Sequence, residues 1–278
     1  MWGATVRLSE ELFSREFFCA LDALKRRREL PGRGKAEIFQ VGRERRGFEH
    51  REYQPGDDPR SIDWRAYART GRRWLRLREQ ERGGHLLLLL DRSASMTANG
   101  IARDFAQRRL ALALGWLQTE AGGTVSAGAL GTHSPGVMTR DGLRSWLTSL
   151  PPCQNAAGGW ALPAAQRRIV LTDPWCVIPK SLPRATEIVC LLDVLEEHPP
   201  LGRLQLRAAE SDEQLAVTMD ARHWQRSWHQ HLTHNAEKVK SLAGSWTELR
   251  GWDGGRSFFS KELRSCAVLH AAAEQGLV

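Results

Sequence analysis

Five consecutive leucines, at residues 86–90, restrict the fold of this chain more than any other feature of its sequence. An unbroken apolar run of this length is typical of a strand that is buried on both faces, as in a parallel sheet covered by helices. Strand-like and helical patterns alternate through the rest of residues 84–278, and this alternation indicates crossover connections. The sequence therefore predicts an α/β fold built on a doubly wound, mostly parallel sheet.

The individual elements are predicted from apolar spacing and from turn residues. Strands are expected at residues 86–90, 124–130, 137–138, 168–173, 187–192 and 246–249. Helices are expected at residues 101–119, 141–150 and 222–242. Two short alternating segments within residues 203–220 flank a polar turn, and they predict a β-hairpin inserted into the α/β pattern.

The first third of the chain has a different character. Phe13, Phe17 and Leu21 repeat with helical spacing, and Pro31-Gly32 ends the predicted helix. Residues 35–83 are rich in arginine and interrupted by glycines, so short strands and turns are expected there rather than long helices. We therefore divide the chain into a smaller N-terminal segment that is β-rich or irregular, residues 1–83, and an α/β domain, residues 84–278, with a hairpin insertion around residues 199–221.

The basic charge of the protein is concentrated in that N-terminal segment. Residues 1–83 carry 20 Lys and Arg against 14 Asp and Glu, which accounts for most of the net charge of +8. A basic surface of this kind suits nucleic acid, an anionic membrane or an acidic protein. The simpler interpretation is a solvated, arginine-rich face, because acidic residues are interspersed with the basic ones.

Cysteine content and hydropathy indicate the compartment. The five cysteines include no C-x-x-C pair, so neither a disulfide framework nor a zinc site is expected. Cys176 and Cys190 lie in apolar segments and are predicted to be core residues. No apolar segment approaches the roughly 20 residues that span a bilayer, and the charged N-terminus does not resemble a signal peptide. We expect a soluble, cytoplasmic protein.

A polar loop, Asp91-Arg92-Ser93-Ala94-Ser95, follows the leucine strand directly. Alternate residues of an extended loop point the same way, so one carboxylate and two hydroxyls can converge on one point. Oxygen ligands of this kind suit a hard cation such as Mg²⁺. Asp173, at the end of a later predicted strand, adds a second carboxylate. The alternative interpretation is structural, with the serines capping a turn and Asp91 accepting bonds from backbone amides.

Other patterns point to less specific chemistry. Four histidines, at positions 223, 229, 231 and 234, fall near one predicted helix, but no carboxylate or cysteine completes a familiar zinc spacing. The sequence has neither a G-x-S-x-G nucleophile elbow nor a Walker-type phosphate loop. The chain is therefore not expected to be an enzyme or to hydrolyse ATP by itself.

Residues 53–71 read YQPGDDPRSIDWRAYARTG, and with the leucine strand and its DRSASM loop they resemble domain-of-unknown-function family 58. The resemblance covers residues 30–270, and these two motifs carry it. Members of that family are bacterial proteins with a von Willebrand factor A-like domain. The signature positions in this chain are Tyr53, Asp57, Asp58, Arg60, Asp63, Trp64, Arg65 and Arg69.

The resemblance implies a metal-dependent adhesion site on a doubly wound sheet. It places Asp91, Ser93, Ser95 and Asp173 at the metal-ligand positions, and it implies Mg²⁺, with Mn²⁺ or Ca²⁺ as alternatives. It also implies a MoxR-type AAA+ ATPase as partner, with an unknown client protein that the pair remodels or activates. The expected function is that of a non-enzymatic, chaperone-like adaptor.

One position departs from the family pattern. The family has a Gly-Gly-Thr-x-Leu segment in which the threonine is a further metal ligand, whereas this chain reads Gly158-Gly159-Trp160-Ala161-Leu162. Tryptophan has an indole N–H donor and no oxygen to offer a cation. The resemblance therefore implies a partial adhesion site with weaker metal binding, in which Trp160 covers the site.

The charged signature allows two interpretations. In the structural one, its paired charges form a clasp between the N-terminal segment and the α/β domain, with Trp64 packed beneath them. In the functional one, the same charges are an interface for the ATPase. Two other functions stay open from sequence alone: nucleic-acid binding through the basic N-terminal third, and metal-dependent hydrolysis with a cation held by Asp91.

Overall fold

The computed structural model describes residues 12–29, 48–52, 64–78, 84–98, 102–131, 136–151, 153, 160, 162–211, 213–250, 252–253, 256–257, 269, 272 and 277. Its strands are β1 (Phe48–Glu52), β2 (Trp74–Arg78), β3 (His85–Leu90), β4 (Thr124–Ala129), β5 (Val137–Met138), β6 (Arg167–Thr172), β7 (Thr186–Leu192), β8 (Gly202–Arg207), β9 (Gln214–Met219), β10 (Ser245–Arg250), β11 (Trp252–Asp253) and β12 (Arg256–Ser257). Its helices are α1 (Arg15–Glu29), α2 (Trp64–Thr70), α3 (Ala102–Glu120), α4 (Arg140–Ser149), α5 (Val194–Glu197) and α6 (Ala221–Ser241).

The central sheet has six strands in the order β5-β4-β3-β6-β7-β10. All neighbours pair in parallel except β4 and β5, which are antiparallel. The chain runs outward from β3 through β4 to β5, and then returns to the other side of β3 to build β6, β7 and β10. This is a doubly wound α/β fold, as the alternation of strand and helix patterns predicted, and it is consistent with a von Willebrand factor A-like arrangement.

The five leucines of β3 are divided between two cores. Leu86, Leu88 and Leu90 pack into the larger core, while Leu87 and Leu89 pack into a second core on the opposite face of the sheet. Each of the five side chains is at most 1% exposed. The interpretation of this run as a strand buried on both faces is confirmed, and so is the burial of Cys176 and Cys190.

Helix α3 covers the larger core and is itself covered by α1. Residues 103–115 of α3 are buried on every side. Phe18 of α1 packs against Trp116 at a ring distance of 5.6 Å, and Arg109 Nε donates a 2.9 Å hydrogen bond to the carbonyl of Leu12. On the other face of the sheet, α6 contributes Val239 to the second core. The sheet is thus a middle layer with helices on both faces.

Within the described residues, three antiparallel ribbons lie outside the central sheet: β1 with β2, β8 with β9, and the short pair β11 with β12. Strands β1 and β2 pair within the N-terminal segment, and α2 lies between them in the chain. Strands β8 and β9 form the hairpin that the alternating pattern predicted. Short strands and turns are expected in residues 35–83 rather than long helices, and the described part of this segment also contains α2, a helix of seven residues. None of the described helices is long and apolar enough to cross a membrane.

A hydrogen bond between His85 and Ser126 at the start of β3 generates a pH prediction. His85 Nε2 lies 2.9 Å from Ser126 Oγ. Burial, and then the positive charge of Arg168, lower the pKa of His85 below its usual 6.5. A histidine with a lowered pKa stabilises the fold above its unfolded pKa, and that contribution is lost as the pH falls through the folded value. We expect the wild type to lose stability relative to His85→Gln as the pH falls from 7.5 to 5.

Thermal unfolding of both proteins across that pH range measures the effect. The matched control is His234→Gln, which changes an exposed histidine of α6. A difference between wild type and His85→Gln that stays constant with pH would contradict the prediction.

Candidate functional site

The candidate site lies where the winding of the sheet reverses. Strands β3 and β6 are neighbours, but their connections leave in opposite directions, through β4 on one side and β7 on the other. Ligands of open α/β sheets bind in the crevice at the carboxyl ends of the strands beside such a reversal. Asp91 directly follows β3 and Asp173 directly follows β6, so the topology brings the two aspartates to one edge.

The loop after β3, which we call the Asp91 loop (residues 91–95), is held by its own polar groups. Asp91 is 5% exposed, and its Oδ1 accepts a 2.9 Å hydrogen bond from the Ser93 amide. Its Oδ2 accepts a 2.6 Å hydrogen bond from the Thr172 hydroxyl. Ser93 Oγ and Ser95 Oγ are 2.8 Å apart, so the two hydroxyls meet at one point. The structure thus brings the two serine hydroxyls together, whereas the carboxylate of Asp91 accepts from the Ser93 backbone amide, as the structural interpretation of the loop expected, and from Thr172.

Asp173 is fully buried beside this loop. Its Oδ1 accepts a 2.8 Å hydrogen bond from the Trp175 amide, while Oδ2 accepts no hydrogen bond from the described residues. A positive charge lies close by, because Arg103 Nη1 is 3.7 Å from Oδ2. Burial raises the pKa of Asp173 to about 6, against the opposing effects of Arg103 and the Ser95 hydroxyl. Asp173 is therefore a buried carboxylate with unused acceptor capacity.

The turn that carries Asp173 is fixed by helix α6. His231 Nε2 lies 2.7 Å from the carbonyl of Pro174, and Asn235 Nδ2 donates a 3.1 Å hydrogen bond to the same oxygen. The His231 ring also stacks on Trp175 with a ring distance of 5.1 Å. His234, three residues further on, instead lines a shallow cleft on the outer side of α6. The histidines near this helix therefore lie in two separate places: His231 contacts the Asp173 turn, and His234 lines the outer cleft.

Sequence reasoning missed three residues of the site: Thr172, Arg103 and Glu196. Arg103 lies in the first turn of α3 and is 3% exposed. Its Nη2 lies 2.7 Å from Glu196 Oε1, and Glu196 also accepts a 2.9 Å hydrogen bond from the Trp175 indole. A signal for Arg103 did exist, because polar residues recur one turn apart in the first half of a helix otherwise rich in alanine and leucine.

The donor set fits a hard cation. Neighbouring oxygen ligands of an octahedral Mg²⁺ lie about 3 Å apart, close to the separation of the two serine hydroxyls. Asp173 Oδ2, which accepts no hydrogen bond from the described residues, and the remaining lone pairs of Asp91 supply anionic oxygens. Within the described residues, no three His, Cys, Asp or Glu side chains cluster as a metal-binding group. A cation at this place therefore depends on the hydroxyls of Ser93 and Ser95.

Trp160 lies in the second core. It is partly buried and packs with that core, together with Leu162 and Ala165. Its indole thus has a packing role next to the sheet. Gly158, Gly159 and Ala161 lie outside the described residues.

The charged signature is described only in part. Tyr53, Asp57, Asp58, Arg60 and Asp63 lie outside the described residues, whereas Trp64, Arg65 and Arg69 belong to α2.

The expectation that Trp64 packs beneath a clasp is wrong. Trp64 is 61% exposed and meets Tyr67 edge to face at 6.0 Å. Residues three apart share one face of a helix, and α2 buries Ala66 instead, which leaves the aromatic pair on the outside.

A comparison with protein families matches part of the chain. Residues 49–150 match the family described as "Protein of unknown function DUF58". This range includes the whole signature at residues 53–71, the leucine strand β3, the Asp91 loop and α3. The class of protein is thus an open-sheet α/β protein with a polar site at the carboxyl edge, and residues 49–150 of the chain are similar to the DUF58 family. No curated protein matches it.

The hydrogen bond between Thr172 and Asp91 generates a stability prediction. Thr172 is fully buried and its hydroxyl is a donor to a buried carboxylate. We expect Thr172→Val to lower the free energy of unfolding by about 1.5–3 kcal/mol, because the variant leaves a charged acceptor without its partner. Urea unfolding at neutral pH measures the change.

The matched control is Thr218→Val at an exposed position of β9. It should alter the free energy of unfolding by no more than about 0.5 kcal/mol. Equal effects of the two substitutions would show that the Thr172 hydroxyl does not stabilise the Asp91 loop.

Proposed function

We propose that this protein is a non-enzymatic, protein-binding adaptor whose docking surface is centred on the Asp91 loop. The observation that carries the proposal is the convergence of two serine hydroxyls with the carboxylates of Asp91 and Asp173 at the carboxyl edge of the two central strands. Oxygen-rich groups gathered at such an edge suit recognition through a cation or through hydrogen bonds.

Exposed apolar side chains beside the loop support a protein partner. Trp175 lies two residues after Asp173 and is 45% exposed. Leu195 lies just beyond the end of β7 and is 47% exposed. On the hairpin, the cross-strand neighbours Leu206 and Leu215 are exposed on the same face. Tryptophan and large apolar residues around a polar centre are typical of protein interfaces. The tip of the hairpin also shares a shallow cleft with Ala98, just beyond the Asp91 loop.

A divalent cation is part of the proposal. Asp91, Ser93, Ser95 and Asp173 would hold Mg²⁺, with Mn²⁺ or Ca²⁺ as alternatives, and the bound ion would offer a coordination position to an acidic side chain of the partner. The Asp91 loop and the Asp173 turn are each held by internal hydrogen bonds, so the chain keeps the four side chains oriented. The site is a partial one, because Trp160 supplies no oxygen ligand.

Three candidate nucleophiles of the described residues, Cys153, Cys176 and Ser126, are unsuited to catalysis, and this favours a binding role. Burial raises the pKa of the Cys153 and Cys176 thiols to about 12, which makes both poor nucleophiles at neutral pH. Ser126 lies beside His85, but its side chain is 1% exposed inside β4 and is closed to a substrate.

We propose a MoxR-type AAA+ ATPase as the partner, acting with this chain on a client protein. This part of the proposal is supported by the resemblance of the signature and the Asp91 loop to the family. If the basic N-terminal third bound nucleic acid instead, the affinity would fall steeply with salt. Binding of DNA or RNA that is strong at low salt and lost at high salt would favour that alternative.

A capture experiment with site variants tests the adaptor role. Tagged wild type in its native host, purified under conditions that trap ATP, should retain an AAA+ ATPase identified by mass spectrometry. Ser95→Ala should reduce the recovered ATPase several-fold, because it removes one of the two converging hydroxyls. The matched control Ser181→Ala changes an exposed serine in the connection leading to the amino end of β7 and should leave recovery unchanged. Absence of an ATPase with wild type, or equal recovery with both variants, would refute the proposal.

Cation titration tests the metal separately. Adding Mg²⁺ or Mn²⁺ to EDTA-treated wild type should raise its melting temperature, because a ligand that binds the folded state stabilises it. Asp91→Ala should show no such response and Ser95→Ala a smaller one. If wild type and Asp91→Ala respond alike, adhesion through a cation at this site is not the mechanism.

A further inference from the structure

The candidate site already contains a buried cation of its own. Arg103 projects from the first turn of α3 and contacts each segment that builds the site. Its Nη1 lies 3.7 Å from Asp173 Oδ2 and 3.4 Å from the carbonyl oxygen of Ser95. Its Nη2 lies 2.7 Å from Glu196 Oε1 on α5. One guanidinium thus joins the Asp91 loop, the Asp173 turn and the segment after β7.

The surroundings of Arg103 are acidic and dry. Glu196, Asp173 and Asp193 all act on its guanidinium, and together they raise its pKa although burial, the largest single influence, lowers it. All three carboxylates are less than 9% exposed. Arg103 therefore remains charged, and its charge is what keeps these buried carboxylates compensated when no other cation is present.

We propose that Arg103 is the resident counter-ion of the site, which holds Asp173 and Ser95 in place without metal and competes with a divalent cation for Asp173. The competition is geometric. Asp173 Oδ2, which accepts no hydrogen bond within the described part of the chain, is the oxygen paired with the guanidinium, and it is also the oxygen that a metal would use. A doubly charged ion beside Ser93, Ser95 and Asp173 lies within a few ångströms of a fixed positive charge that cannot deprotonate.

Two consequences follow for the adhesion site. The Asp91 loop and the Asp173 turn keep their arrangement in the absence of metal, because the guanidinium of Arg103 supplies the positive charge that the metal ion would otherwise supply to the carboxylates. Divalent cations bind weakly, since each must overcome repulsion from Arg103. This inference rests on the cation part of the proposed function and identifies the residue that sets its affinity.

Calorimetric titration with Mn²⁺ of the metal-free full chain tests the proposal. Arg103→Met removes the charge and keeps an apolar stem of similar length. We expect it to bind Mn²⁺ at least about tenfold more tightly than wild type, and we expect Asp91→Ala in the same background to abolish the gain. The melting temperature of Arg103→Met should fall in EDTA and should be restored by Mn²⁺ to a greater extent than that of wild type.

The matched control is Arg109→Met, which removes a buried arginine of the same helix whose Nε bonds the Leu12 carbonyl. It should leave Mn²⁺ affinity unchanged. If Arg103→Met does not fold, Arg103→Met with Glu196→Gln removes both charges of the 2.7 Å pair and is compared with Glu196→Gln alone, over which we expect the same tenfold gain.

The possible results separate this proposal from the adaptor role. Unchanged or weaker Mn²⁺ binding on removal of Arg103, or an equal gain in Arg109→Met, would overturn the counter-ion assignment. Tight binding in Arg103→Met with none in wild type would support it and would refute the cation part of the proposed function. Capture of the ATPase reports on the adaptor role independently of either result.

Discussion

The burial of β3 on both faces is the constraint on which the rest of the structure depends. Its leucines alternate between two cores, so helices must cover both sides of the sheet. Strand β3 also has a parallel neighbour on each of its edges, which requires crossover connections in opposite directions. The winding of the sheet therefore reverses beside β3 itself. The carboxyl ends of β3 and β6 come together for that reason, and with them the Asp91 loop and Asp173.

A second constraint arises from the polar side chains that α3 carries into the core. Gln107 is fully buried, and its Nε2 donates to the carbonyl oxygens of Asp91 at 3.1 Å and of Leu171 at 2.8 Å. These carbonyls lie where the two central strands end, and a buried carbonyl without a partner is costly. The Gln107 amide thus gives the Asp91 carbonyl a partner, adds a second hydrogen bond to the Leu171 carbonyl, which also accepts from the Asp91 amide, and ties α3 to both strand ends.

The arginines of the same helix act in a similar way. Arg108 forms a salt bridge with Asp104 at 2.7 Å and donates to the carbonyls of Leu147 and Leu150, which lie at the end of α4. Arg92, from the Asp91 loop, pairs with the same aspartate. Buried ion pairs of this kind contribute little net stability, because desolvation offsets their attraction, but removing one partner is strongly destabilising. Their effect is to specify where the loop lies.

The sequence by itself determined the layered α/β fold, the positions of its main elements and the oxygen-rich loop after β3. Apolar runs and apolar spacing in β3, α3 and α6 predict these elements and their buried faces, because burial of each position favours an apolar side chain there. The sequence did not reveal that Arg103 and Glu196 belong to the site, or that Trp64 is exposed, because those facts depend on residues far apart in the chain. Only the tertiary structure decides which buried charges become neighbours. It places the Arg103 guanidinium of α3 and the Glu196 carboxylate of α5 beside the residues of the candidate site, Asp91, Ser93, Ser95 and Asp173. Buried charges need partners, and the fold determines which oppositely charged groups lie within reach.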